Sequence, residues 1–316
     1  MVLFPIDIDG ETGEDLGKVY KIGATFPVFI LANGEGEVFS QWIGYTGSDR
    51  FDRSLKKAKS DLTTIKARIS RFKTNPTLKD ATFMARYCTE TREFLDAASY
   101  FRKAEELGNR EYSYDIFKST ANAIWIDLAE FESVFPTADA VLNSKIKNNT
   151  NIIGTARSLA RLVRKKGQTD KISKYLRAGV EAASNSRNPK DAKNLTDLQA
   201  EYALYADRDT SMAIEIKRNS LGRDWPNKPE KYYNFSKWCV ERLINLEEAE
   251  YYARKAVKLA MGEEFGAKTR NTLAEIVYAR GNINEAISLM EEVIHLNPEE
   301  DKYYEKLLQY KNESTD

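Results

Sequence analysis

Apolar residues recur every three or four positions from about Leu78 to the C-terminus, which is the period of amphipathic helices. The most regular unit runs from Ala267 to Pro298. Leu273 and Ala274 lie on its first helix, and Gly281–Asn282 form a turn. A second helix follows, and small or apolar residues mark it at one-turn spacing: Ala286, Met290 and Val293. The pattern predicts a helical hairpin.

The same spacing returns elsewhere in the chain. The residues that repeat it are Met84, Ala85, Ala97, Phe101 and Ala104; Leu159, Ala160, Gly167, Leu176 and Gly179; and Ala249, Ala253 and Ala256. Two stretches keep only the helical period, Tyr114–Phe131 with a turn at Pro136, and Leu195–Leu221. Internal repeats of this length are typical of stacked helix pairs.

These units resemble the tetratricopeptide repeat, which has small residues on the second helix, Gly at the turn and a closing Pro. The resemblance implies a mainly α fold, a right-handed solenoid of about six helix pairs over residues 78–316. A charged helix near Asp301–Lys311 is expected to cap it. Arrays of this family hold other polypeptides, so the expected function is a scaffold or adaptor for a protein or peptide partner.

Residues 1–74 follow another pattern. We expect a strand at Val2–Ile8, a helix at Glu11–Tyr20 capped by Thr12, strands at Thr25–Leu31 and Val38–Tyr45, and a long helix from Ser48 to Phe72. The Gly-containing loop between the last two strands predicts a β-hairpin.

The order and spacing of these pieces resemble the second half of a thioredoxin domain. The matching residues include Asp7–Gly13, Ala24–Ile30 and Gly34–Val38. The resemblance implies a βαββα segment in which Pro27 is cis and, with Phe26, faces a bound substrate. Thioredoxin domains joined to tetratricopeptide repeats are familiar in bacteria.

The half of the domain that carries CxxC has no counterpart here. Activation of a cysteine thiolate is the basis of that family's chemistry, and residues 1–74 hold no cysteine. Two hypotheses stay open. Either the segment is a redox-inactive remnant, or the native chain is longer and its CxxC precedes Met1. We favour the longer chain, whose activity would be thiol–disulfide exchange.

The composition limits the kinds of partner and of active site that the chain can have. The 48 basic and 48 acidic residues cancel, so net charge does not steer the protein to nucleic acid or membrane. Cys88 and Cys239 form no CxxC and are expected in the core, and His295 has no partner at a triad spacing. Asp7, Asp9 and Glu11 lack the full ligand series of a cation loop. We expect no metal and no cofactor.

The sequence shows no signal peptide and no apolar run of membrane-spanning length, and the compartment stays open between cytoplasm and bacterial periplasm.

Charge is concentrated in two basic regions. The first holds Arg50, Arg53, Lys56, Lys57, Lys59, Lys66, Arg68 and Arg71, and the second holds Arg157, Arg161, Arg164, Lys165, Lys166, Lys171, Lys174 and Arg177. Solvated helix faces are the simpler interpretation. The alternative is a binding surface for an acidic peptide or for nucleic acid. No aromatic residues placed for base stacking accompany the basic residues. Asn234 and Asn271, on first helices, are candidate contacts to a peptide backbone.

Overall fold

The computed structural model of the 316-residue chain describes residues 5–7, 10–23, 26–166, 171–192, 194–222, 225 and 228–314. The chain divides into two compact units, Met1–Ser158 and Leu159–Asp316, and each is described by itself. The division falls inside one helix, Asn149–Lys166. The predicted boundary between residues 74 and 78 stays a prediction.

The first unit begins with α1 (Glu11–Val19) and a two-stranded antiparallel sheet, β1 (Val28–Ala32) and β2 (Val38–Ile43). The loop is fixed by Asn33, whose Oδ1 accepts the backbone N–H groups of Glu35 at 3.1 Å and Glu37 at 2.8 Å. The predicted hairpin is confirmed.

Other expectations for this segment have mixed outcomes. The predicted strand Val2–Ile8 lies for the most part outside the described residues. Gly10, not Thr12, is the N-cap of α1, so the capping prediction is wrong. Thr12 lies one position inside the first turn of the helix.

The predicted long helix from Ser48 to Phe72 is also wrong, because two helices occupy that stretch: α2 (Ser48–Lys59) and α3 (Ile65–Thr74). Between them Asp61 Oδ1 accepts hydrogen bonds from the backbone N–H and the hydroxyl of Thr63. Thr64 then caps α3 by accepting from the Ala67 N–H at 3.2 Å. Short polar side chains that bond to nearby backbone groups compete with the helix, and they end it here.

Aromatic side chains join α2 to the hairpin. The Phe29 ring lies 5.5 Å from the stacked Trp42 ring and 4.9 Å from the Phe51 ring of α2, both measured between centroids. Such contacts contribute beyond area burial and hold α2 against one face of the sheet.

A buried ion cluster joins α3 to the next helix, α4 (Leu78–Glu90). The Arg68 side chain is 0% exposed, and its Nη1 donates to Asp80 Oδ1 at 3.2 Å. Arg71 donates to the same carboxylate with two nitrogens, and Arg68 Nη2 lies 2.9 Å from Asp61 Oδ1. The guanidinium of Arg68 also lies 4.0 Å from the centre of the Phe83 ring. Two residues of the first basic region are therefore internal contacts.

The rest of the chain is helical. In the first unit α4 pairs with α5 (Phe94–Leu107), and α6 (Ser113–Trp125) pairs with α7 (Val134–Leu142); then α8 (Asn149–Lys166) begins. The second unit continues with α9 (Ser173–Ser184) and the short α10 (Pro189–Ala192). Three helix pairs follow: α11 (Leu195–Tyr205) with α12 (Thr210–Asn219), α13 (Pro229–Val240) with α14 (Leu246–Leu259), and α15 (Glu263–Ala279) with α16 (Ile283–Leu296). The last helix is α17 (Asp301–Glu313).

The predicted mainly α fold of repeated helix pairs is confirmed, including its terminal helix. α8 and α9 supply the helices of the third expected pair, and its turn at Gly167 lies outside the described residues. The turn at Gly281 has φ +87°, a region that glycine enters without steric cost.

The less regular repeat differs in detail from the prediction. α6 ends at Trp125, and Leu128 is 54% exposed in the turn that follows. Asp127 has a φ of 60°, which is the left-handed region, and the chain leaves the helical conformation there. Pro136 lies within the first turn of α7 and not in the connection before it. In the first turn of a helix the missing N–H of proline costs nothing, because the N–H groups there have no partner within the helix.

Small residues on the second helices are buried as the repeat pattern predicts. Ala97 and Ala104 on α5, Ala249 and Ala253 on α14, and Ala286 on α16 are all at most 1% exposed. A methyl group at these positions lets two helix axes approach closely, so larger neighbours interlock around them.

We predict that Asp80→Asn destabilises the first unit by roughly 3 kcal/mol, because it leaves the buried Arg68 guanidinium with a weaker partner. The hydrogen bonds from Arg71, together with the positive charges of Arg71 and Arg68, hold the pKa of Asp80 below its usual range. Its stabilisation is therefore complete above the unfolded pKa of about 3.9 and is lost as the pH falls through the lower folded pKa.

Urea denaturation at pH 7 and at pH 3 measures this difference. The matched control is Asp15→Asn, since Asp15 is 79% exposed and pairs loosely with Lys18 at 3.7 Å. Equal stability of the Asp80→Asn variant and the wild type at pH 7 contradicts the assignment.

Candidate functional site

The first helices of the second unit lie beside one another. α13 contacts α15, and Lys306 of α17 donates to Asn271 Oδ1 of α15 at 2.9 Å and pairs with Glu275. We call the outward side of α11, α13 and α15 the first-helix face. The first helices bury alanines of their own, such as Ala200 on α11 and Ala274 on α15, and they also carry exposed polar side chains such as Lys237 on α13.

A buried polar cluster links α8, α11 and the end of α13, and it consists of Arg164, Glu201, Tyr205, Trp238 and Arg242. Glu201 Oε1 accepts from Arg242 Nη2, and from Arg164 Nη1 at 3.4 Å. The side chains of Glu201 and Arg242 are 9% and 4% exposed, whereas that of Arg164 is 22% exposed. Arg164 is thus the most exposed member of the ion-paired group.

Trp238 supports the Arg242 side chain. The guanidinium carbon lies 4.7 Å from the centre of the Trp238 ring, and Arg242 Nη1 donates to the Trp238 carbonyl oxygen at 2.8 Å. A guanidinium over an indole face is a favourable cation–π arrangement. The two residues are four apart, where α13 ends, so one turn of chain fixes both.

Three polar atoms of the cluster have no hydrogen-bond partner among the described residues. They are Glu201 Oε2, Trp238 Nε1 and Arg242 Nε. Buried polar groups are nearly always paired, and an unpaired one costs about 1–3 kcal/mol. The three atoms belong to side chains that contact one another.

The cluster also acts on Tyr205. Burial, and then the Glu201 carboxylate, raise the pKa of the Tyr205 phenol, while Arg242 and Arg164 oppose the shift. The phenol is therefore protonated at neutral pH and keeps a hydrogen to donate.

The predicted basic residues of α8 are not equivalent. Arg157, Arg161 and Lys165 are exposed, at one-turn spacing. Arg164 lies on the same side of the helix as Arg157, but it is half-buried and its Nη1 lies 3.4 Å from Glu201 Oε1; Lys166 is partly buried.

The two predicted asparagines also differ. Asn234 is exposed on α13. Asn271 is half-buried and already accepts from Lys306 and donates to Glu275 at 3.2 Å. A peptide contact through Asn271 would have to replace the hydrogen bond from Lys306.

Sequence reasoning missed Glu201 and Arg242. The available signal was a charged residue inside an apolar helical period, since Glu201 stands between Leu198 and Tyr205 in the stretch Leu195–Leu221. A carboxylate on a buried face needs a cationic partner.

In the first unit, the Phe26–Pro27 peptide bond is cis and Phe26 is 52% exposed. A substrate contact by this pair stays a prediction.

The cysteines are core residues, as expected. Cys88 is 4% exposed on α4 and Cys239 is 0% exposed on α13, and burial raises the pKa of both thiols to about 12. The reactive thiolate is therefore scarce at neutral pH.

The remaining candidates add no chemistry. His295 lies in the last turn of α16. Asp9 and the Glu11 side chain lie outside the described residues. Within the described ranges, no group of three or more His, Cys, Asp or Glu residues is placed to hold a metal, and no helix is long and apolar enough to cross a membrane.

Comparison with known proteins gives structural likeness only. No protein-family model matches the chain, and no curated protein matches it. The crystal structure of yeast Tom70 aligns at a TM-score of 0.47 and 18% identity, over 85% of this chain and 53% of that one. This chain thus spans about half the length of that protein.

A second solved structure, the TPR2AB domain of yeast Sti1 in complex with pHSP90, aligns at a TM-score of 0.28 and 15% identity, over 76% of this chain and 98% of that one. Both likenesses are distant. The tetratricopeptide-type architecture is supported by the chain's own helix pairs and their buried alanines.

We predict that Cys88 and Cys239 resist a thiol reagent such as DTNB in the folded protein at pH 8 and react fully in guanidinium chloride. With pKa values of about 12, thiolate forms only as the pH rises toward that value, so labelling should accelerate with pH. Fast labelling of either residue under native conditions at pH 8, compared with Cys88→Ala and Cys239→Ala proteins, contradicts the assignment.

Proposed function

We propose that this chain is a protein-interaction scaffold that holds a polypeptide segment of its partner on the first-helix face. The observation that carries the proposal is the set of unpaired buried polar atoms on Glu201, Trp238 and Arg242. These side chains come from neighbouring first helices, and the Glu201–Arg242 pair joins α11 to the end of α13. A partner that supplies the missing hydrogen bonds gains affinity there.

Further support comes from the exposed groups around the cluster. Asn234 and Lys237 are exposed on α13, one helical turn apart along the chain's outward side. Amide and ammonium groups at such positions can bond to the backbone carbonyls of an extended peptide. A polar rim around a desolvated centre is the usual arrangement of an interface.

The exposed basic side chains of α8 favour an acidic segment in the partner. Arg157, Arg161 and Lys165 would contribute mainly to the association rate and its salt dependence, as charges at a rim do. Lys165→Glu with Lys166→Glu should then weaken binding of an acidic partner. A nucleic-acid partner is the lesser alternative, and it would show a much steeper loss of affinity with salt.

We also propose that residues 1–74 by themselves are a redox-inactive thioredoxin-like remnant. Residues 1–74 contain no cysteine, and the protonated state of Cys88 and Cys239 supports inactivity of the chain as it stands. Thiol–disulfide exchange by a longer native chain is the alternative. Thioredoxin-like turnover of insulin disulfides by this chain contradicts the remnant proposal.

Site-specific photo-cross-linking tests the scaffold. A benzoylphenylalanine replaces Lys237 on the first-helix face, and in a matched protein it replaces Lys258, which is exposed on the second helix α14. After irradiation in cells of the source organism, mass spectrometry identifies the joined peptides.

We expect position 237 to join a small, reproducible set of polypeptides at extended segments, and position 258 to give few products. Equal yields and the same products from both positions contradict the proposal, because they indicate contact without preference for this face.

A further inference from the structure

The three unpaired atoms define what kind of group can complete the cluster. Arg242 Nε and Trp238 Nε1 can only donate, because arginine stays protonated and the indole nitrogen has no free lone pair. Glu201 Oε2, on a carboxylate paired with Arg242, accepts. A single group that completes all three atoms must accept two hydrogen bonds and donate one.

Most side-chain groups fail this requirement. A carboxylate accepts from both donors but has no hydrogen for Glu201, and its charge repels that carboxylate. An ammonium or guanidinium group donates to Glu201 but brings hydrogens against Arg242 and Trp238. An apolar group leaves all three atoms unpaired, at a cost of about 1–3 kcal/mol each.

A primary amide meets the requirement for two accepted hydrogen bonds and one donated hydrogen bond. Its oxygen has two lone pairs for the nitrogens of Arg242 and Trp238, and its NH₂ group can donate to Glu201 Oε2. We propose that the cluster binds the side-chain amide of a Gln or Asn residue in the partner's peptide. The inference rests on the proposed function and assigns the chemistry of its central contact.

Arg164 controls access to this position. Its Nη1 makes two long hydrogen bonds, both 3.4 Å, to Glu201 Oε1 and to the Ala160 carbonyl oxygen. Its side chain also hydrogen-bonds Tyr205. Rotation of Arg164 would exchange these contacts, whereas the Glu201–Arg242 pair does not depend on them. In this proposal the arginine stem covers the cluster when no peptide is bound.

The test uses the full chain, labelled with ¹⁵N, and four alanine-based heptapeptides. The peptides carry acetyl and N-methylamide ends, so that no terminal primary amide or charge competes, and they differ only at the central residue: Gln, Asn, Glu or norleucine. The readout is the indole Nε1–H resonance of Trp238, assigned from a Trp238→Phe protein.

We expect the Gln or the Asn peptide to shift this resonance and to bind at least ten-fold more tightly than the norleucine peptide. Comparison of the two shows which amide reaches the cluster. Trp238→Phe keeps an aromatic ring under Arg242 and removes one donor, so it should abolish the preference for the amide peptide, which the backbone resonances of Glu201 and Arg242 report in that protein. Trp42→Phe, in the other unit, should preserve it.

Hydrogen exchange gives an independent check of access. Arg164→Ala should speed the exchange of the Trp238 indole hydrogen with D₂O several-fold, because it removes the cover. Unchanged exchange overturns the proposed route into the cluster, and with it the inference.

Other outcomes also overturn the inference, and they are distinguishable from failure of the scaffold. Tighter binding of the Glu peptide assigns the cluster to carboxylates instead. Shifts confined to the backbone resonances of Asn234 and Lys237 leave peptide binding at the first-helix face intact but reject the amide contact. No shift with any peptide rejects the amide contact, while cross-linking from position 237 still decides the scaffold.

Discussion

The architecture depends on close contact between helices that cannot bury their apolar faces alone. Each helix pair leaves one side bare, so its stability comes from the next pair along the chain. Alanines make the approach close enough: Ala253 and Ala286 are at most 1% exposed, and both sit on second helices. The first helices bury alanines as well, such as Ala200 and Ala274, and polar side chains such as Asn234 and Lys237 lie on their exposed sides.

Two buried ion clusters show how differently polar groups can be used in such a frame. Around Arg68 every side-chain nitrogen has an acceptor, supplied by Asp80, Asp61 and the Thr63 carbonyl. That cluster is complete and fixes α3 on α4. Around Glu201 and Arg242 the pairing is partial, since three buried polar atoms have no hydrogen-bond partner among the residues that the structure describes. The complete cluster has a structural role, whereas the incomplete one leaves polar atoms available for a further contact.

The cysteines illustrate how burial decides chemistry. A thiol becomes a nucleophile only as thiolate, and both Cys88 and Cys239 lie where a charge is poorly solvated. Their positions on the inner sides of α4 and α13 follow from the helical period. The same period places Glu201 inside, and there the carboxylate stays buried because Arg242 pairs with it.

The sequence by itself determined the helix pairs, their small buried residues and the β-hairpin, because these follow from local periodicity, glycine at turns and side-chain size. It failed where short-range hydrogen bonds compete with periodicity, as at Asp61–Thr64, where one expected helix is two. It indicated Arg164 but not the residues that meet it. Only the tertiary structure brought together Arg164 of α8, Glu201 of α11 and Arg242 in the turn after α13, which are 37 and 41 positions apart along the chain. Pairing across such separations depends on how neighbouring helices stack, and no local pattern encodes which of many charged residues will share a buried face.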